Sequence, residues 1–228
     1  MRSVLLIAAN FLRMQRWYVL LLVALVAGSS FFYRSGAGFG GEELQDYLGQ
    51  QAAYAIGSAL LIAGSAIYNE RRSRRILGVL SKAVSRAQYV VGLWLGVLLV
   101  MACFCAATTA GASWIAGAGS LGAIWLFGAD LLVASALVGA VAILFGSMVN
   151  PVVAGFATAI VLSVQFGLET GLRGGPVLAI SHELAALIHG TITSLDAWPV
   201  AAVLMESCAV IALACWVFSS RDVTAAIE

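Results

Sequence analysis

The chain is a succession of long apolar runs separated by short polar breaks. The runs fall at 17–32, 52–68, 89–114, 124–148, 152–166 and 199–218. A membrane-crossing helix needs about 20 mainly apolar residues, so the pattern predicts six spans. The third and fourth are joined by Gly117-Ala118-Gly119-Ser120, and the fourth and fifth meet at Asn150-Pro151, a natural helix break. The fifth run is short, and it either stops below the far surface or continues as a broken helix. Ahead of the first run, segment 1–16 reads as an amphipathic helix. Val4, Leu5, Ala8, Phe11 and Leu12 form its apolar face, and Arg2, Arg13 and Arg16 can reach head groups. That pattern suits a helix lying along the inner interface, with a plain extension of the first span as its alternative.

Composition sharpens this picture. Of 228 residues, 62% are hydrophobic and only 10% are charged, and the mean hydropathy is +1.00. No soluble domain of this size hides so much apolar surface, so the expected class is an all-α polytopic membrane protein forming one domain over 1–228. The net charge of +1 gives no pointer to nucleic acid. Segment 1–12 reads as part of the protein and not as a cleavable leader, because Asn10, Arg13 and Arg16 interrupt it before the first long run. The four cysteines, Cys103, Cys105, Cys208 and Cys215, all fall in predicted spans and read as small apolar fillers.

The distribution of charge orients the chain. Six of the twelve Lys and Arg residues, Arg71, Arg72, Arg74, Arg75, Lys82 and Arg86, stand between the second and third runs. With both termini inside, the inner segments hold ten basic residues and the outer ones only Arg34 and Arg173, which places both termini in the cytoplasm. Within the basic segment, Ile76, Leu77, Val79, Leu80 and Val84 fall mostly on one side of a helix and Arg72, Arg75 and Lys82 on the other. A short amphipathic helix there is either a handle for a soluble partner or a topology anchor without one.

The run Tyr68-Asn69-Glu70, then Leu80-Ser81-Lys82-Ala83-Val84-Ser85-Arg86, Tyr89-Val90-Val91-Gly92 and Leu95-Gly96 resembles the permease subunits of type-2 ABC exporters. Asp46-Tyr47-Leu48 ahead of the second span resembles the branch related to copper-maturation permeases. Two positions depart from the family pattern: Ala83 stands where it usually has Pro, and Leu93 where it usually has Lys. The resemblance implies a cytoplasmic coupling helix in segment 69–88 and a re-entrant outer hairpin in 167–198. It implies a separate ATP-binding-cassette ATPase docking on 69–88 through Glu70, Arg71, Arg72, Arg74, Arg75, Leu80, Lys82 and Arg86. It also implies a second permease copy or a related permease beside this chain, in a bacterial cytoplasmic membrane. The chain has no G-x-x-x-x-G-K-[ST] loop, so ATP and Mg are expected on the partner and no cofactor on this chain, which is read as a transport subunit and not an enzyme.

Three further groups carry candidate chemistry. Glu206 lies deep in the last run, where a carboxylate is costly unless paired or hydrated; it reads as a contact on a transport path or as a packing hydrogen bond. Asp130, near the outer end of the fourth run, shares the path reading or marks the water boundary. His182 and His189, with Glu183 beside the first, occupy the last outer segment; seven residues apart, they could share a helical face and hold a metal. The favoured reading there is the re-entrant hairpin, with no metal. Gly111-Ala112-Ser113 matches the Gly-x-Ser of intramembrane serine proteases, but both histidines lie outside the predicted spans. A membrane scaffold or sensor using the same basic segment is the alternative to the exporter reading.

Overall fold

The computed structural model describes residues 2–35, 41–72, 84–116, 121–167, 182 and 196–220. The elements among them are helices: α1 (Arg2–Met14), α2 (Arg16–Ser35), α3 (Gly41–Arg72), α4 (Arg86–Ala116), α5 (Leu121–Met148), α6 (Pro151–Gly167) and α7 (Ala197–Ser220). Five stretches are long and apolar enough to cross a membrane: Arg16–Ser35, Leu44–Tyr68, Arg86–Ala116, Leu121–Met148 and Ala197–Ser220. The protein is an all-α integral membrane protein. On α6, Pro151–Val161 is apolar but shorter.

Local chemistry sets several helix starts. Ser85 and Gln88 form a reciprocal cap at α4: the Gln88 amide donates to Ser85 Oγ at 3.2 Å, and the Ser85 amide donates to Gln88 Oε1 at 3.3 Å. At α6 the Val152 amide donates to Asn150 Oδ1 at 2.9 Å, with Pro151 at the first helical position, where its missing N–H costs nothing. The Asn150-Pro151 break therefore ends one helix and starts the next.

α5 is the most enclosed helix, packed against α3, α4, α6 and α7. Small residues bring it close to its neighbours. A Cβ on Gly146 would stand 2.8 Å from the Gly64 carbonyl oxygen of α3. Trp94 Nε1 of α4 donates to the Ala136 carbonyl of α5 at 3.0 Å. Without a hydrophobic drive between helices in lipid, such close backbone approach and cross-helix bonds hold the bundle.

The N-terminal helix covers the predicted residues, but its buried face differs from the expected one. Ile7 and Phe11 of α1 lie against Gly92 and Gly96 of α4, where an added Cβ would stand 2.8 Å from each side chain. Both pairs are four residues apart and in the same order, so α1 runs alongside the first turns of α4. Ala8 and Phe11 are buried, while Leu5, expected on the apolar face, is 62% exposed; Ile7 takes its place. The break to α2 is slight: the Gln15 amide donates to Phe11 O at 3.0 Å and the Val19 amide to Gln15 O at 2.9 Å.

α3 begins at Gly41, eleven residues before the predicted second run. The reason is a polar knot. Tyr47 and Gln51, one turn apart and fully buried, meet α2: Tyr47 Oη and Ser30 Oγ are 2.9 Å apart, and Gln51 Nε2 donates to Ser29 Oγ at 3.0 Å. Gly111 of α4 leaves the room for Ser30 and Tyr47. Polar residues that a hydropathy reading places outside the membrane are thus helical and inward-facing. At this same end Arg34 Nη1 donates to the Trp114 carbonyl at 2.8 Å, and its guanidinium lies 5.4 Å from the Trp114 ring centre.

Helix directions follow from these contacts. Ile7–Gly92 and Arg34–Trp114 set α2 parallel to α4. The contacts of Gly128 with Thr109 and of Gly139 with Val97 set α5 antiparallel to α4. Arg86 Nη1 donates to the Ser219 carbonyl at 3.0 Å, so α7 ends where α4 begins. Exposed Trp17 and Trp216 lie toward this Arg86 end and exposed Trp114 and Trp198 toward the other, as in the aromatic belts of membrane proteins. Along α7, Trp198 and Trp216 are about 27 Å apart at 1.5 Å per residue, close to the hydrocarbon thickness.

Candidate functional site

Two places gather the chemistry. The first is the junction at the start of α4. Ser85 caps the helix, Arg86 reaches across to Ser219, Tyr89 stacks on Phe218 with ring centres 6.2 Å apart, and Cys215 Sγ lies 3.7 Å from the Ala87 carbonyl. α7 has no basic residue in its last turn; Arg86 supplies, from another helix, the positive charge that a helix C-terminus favours. Sequence reasoning placed Arg86 in a docking set and missed this grip.

Glu70, Arg71 and Arg72 form the last turn of α3, and their side chains lie outside the described residues, as do Arg74, Arg75, Leu80 and Lys82. Val84 and Ser85 are not helical, so the amphipathic helix expected over the basic segment does not extend to Val84.

The second place is a cavity of about 160 Å³ between α5, α6 and α7. Leu137, Val141, Leu144 and Phe145 line it from α5, Val161 from α6, and Val210 and Glu206 from α7. Glu206 is half-buried, and its Oε2 has no hydrogen-bond partner among the described residues. It stands ten residues into a 24-residue helix, about 14 Å along the axis from Ala197. Among the described residues, a single carboxylate therefore faces an otherwise hydrocarbon wall at mid-depth. Its neighbour Ser207 turns away and donates to the Val203 carbonyl of its own helix at 2.7 Å.

Asp130 is not at a water boundary: it is fully buried on α5, on a turn whose Phe127 and Leu131 are also fully buried. The Glu206 cavity meets α5 from Leu137 onward, seven residues past Asp130 and about 10 Å along the axis, so the two carboxyls serve different levels. His182 is exposed; Glu183 and His189 lie outside the described residues. Among the described residues no three His, Cys, Asp or Glu side chains gather where a metal could sit. Ser113 Oγ donates to the Thr109 carbonyl at 2.6 Å, and Gly111 serves the α2–α3 knot. All four cysteines are free thiols.

A second, apolar cavity of about 460 Å³ lies between α2 and α4, lined by Val23, Val26, Ala27, Ser30, Ala107, Ala110, Gly111 and Trp114. Ser30 brings its one hydroxyl, already committed to Val26 O and Tyr47. Comparison with protein-family models and with curated proteins returns no match.

Proposed function

We propose that this chain is the membrane-spanning subunit of an ATP-driven exporter, moved by a separate ATPase that docks on segment 69–88. One observation carries the reading: the basic segment runs directly into the capped start of α4, and its last residue, Arg86, holds the end of α7. A partner pressing on that segment would reach two spans at once. ATP and its Mg belong to the partner.

The expected orientation agrees with helix directions. Arg2, Arg13, Arg16, Arg71, Arg72 and Arg86 cluster toward the Arg86 end, which is the cytoplasmic face in this reading. α5 ends at that face and α7 starts at the other, so the chain crosses once more between Pro151 and Ala197. α6 makes up about 25 Å of that sixth crossing. A bacterial cytoplasmic membrane is the proposed location.

An exporter of this kind needs two membrane halves. The exposed apolar side chains Trp17, Leu20 and Leu21 on α2 and Val152 and Phe156 on α6 offer the face for a second copy or a related permease. Gly155 of α6 faces Leu60 of α3, with an added Cβ 3.2 Å away.

The test is co-purification with a candidate ATPase from native membranes. Charge reversal of Arg72, Arg74 and Arg75 to Glu is expected to release the ATPase and leave the chain inserted. Arg86 is kept, because its loss would disturb α7 directly. An unaltered ATPase complex would reduce the segment to a topology anchor and overturn the reading.

A further inference from the structure

We infer that the Glu206 cavity binds a lipophilic tertiary amine in its protonated form, with the N–H on the carboxylate and an apolar body of about benzene size against α5. The inference concerns what the cavity holds, and it stands whether or not an ATPase moves the chain.

Three observations choose the ligand class. The first is the wall: apart from Glu206, every lining residue among the described residues is Leu, Val or Phe. A hydrated metal ion finds no home there, since calcium takes about six to eight oxygen ligands and magnesium about six. The second is the volume. A cavity of about 160 Å³ matches one of about 150 Å³ known to take benzene when lined by apolar side chains. The third is the free acceptor, Glu206 Oε2, which has no hydrogen-bond partner among the described residues. A lone carboxylate among apolar side chains fits a cation with few donors. A primary ammonium would bring three N–H groups to two carboxylate oxygens and leave at least one facing apolar carbon, at a desolvation cost. A tertiary ammonium brings one, and its remaining substituents are apolar. Phe145 adds an aromatic ring to the lining, which favours a cation further.

The experiment uses the full chain in phosphatidylcholine nanodiscs at neutral pH, with N,N-dimethylbenzylamine titrated by saturation-transfer NMR. Saturable binding is expected, weakened about tenfold or more by Glu206→Gln through loss of the charge-assisted bond. Val141→Phe, which fills the cavity and keeps the carboxylate, is expected to weaken it similarly. Benzyltrimethylammonium has the same charge without an N–H and should bind less tightly. Toluene should respond to Val141→Phe and not to Glu206→Gln. Retained helical signal and a monodisperse particle qualify each variant, and either variant alone suffices for the test. Equal amine binding by wild type and a folded variant, no saturable binding by wild type, or a quaternary probe as tight as the tertiary one would overturn the inference.

Discussion

The two flanks of α5 are built differently. Toward α3, a Cβ on Gly146 would crowd the Gly64 carbonyl, and about 20 Å back along α3 Tyr47 and Gln51 bond across to Ser30 and Ser29 of α2. Toward α6 and α7 the helices part around a cavity, and the Glu206 carboxylate facing it keeps an oxygen without a hydrogen-bond partner among the described residues. A bundle in lipid can be tight only where small residues and matched polar groups coincide. Here they coincide on one side, which leaves the other free to carry a costly group that packing does not require. Stability should therefore reside on the first flank and ligand chemistry on the second.

Substitutions can break that contrast. The largest effect is expected for Gly146→Val. Its side chain meets backbone, which cannot yield as a flexible side chain would, so a loss of about 3 kcal/mol is expected. Reversible unfolding in mixed micelles measures it, and a loss near zero would show that α3 and α5 slide freely. Next comes Ser30→Ala, which removes the Tyr47 bond; about 0.6–1 kcal/mol is expected from cross-helix bonds in membranes. Arg86→Met should cost less in global stability, about 0.5 kcal/mol. Its sharper readout is faster hydrogen exchange at the last turn of α7, with exchange in α5 unmoved. The smallest effect is expected for Glu206→Gln: an unfolding midpoint equal to or slightly above wild type, within about 0.5 kcal/mol. A marked loss there would make Glu206 a structural residue and erase the difference between the flanks.

Much of the fold was legible because lipid demands long apolar helices. Five of the six predicted runs lie in helices of spanning length, and the fifth run lies on α6. The Asn150-Pro151 break was legible because its cap chemistry is local. What escaped the sequence depends on which helices meet. Tyr47 and Gln51 look like loop residues until Ser29 and Ser30 face them. Gly92 and Gly96 announce a close approach, but nothing in their spacing names α1 as the partner. Asp130 reads as a boundary marker by position, and its burial comes from the central place of α5. For the candidate site, Glu206 stood out by depth alone, whereas its cavity is assembled from three helices whose mutual tilt the pattern does not encode.

The pairing of α1 and α2 with α4 also has a schedule. Arg34 and Trp114 are 80 residues apart in the chain, and Phe11 waits as long for Gly96. At about 5–20 residues per second of synthesis, roughly 4–16 s pass between the emergence of the first hairpin partner and the helix that will seat it. For that interval α2 has α3 beside it, through Ser30 and Tyr47, while Arg34 still lacks Trp114. The ribosome-bound chain therefore needs lipid or the insertion machinery to shelter α2, and the glycines of α4 end that custody.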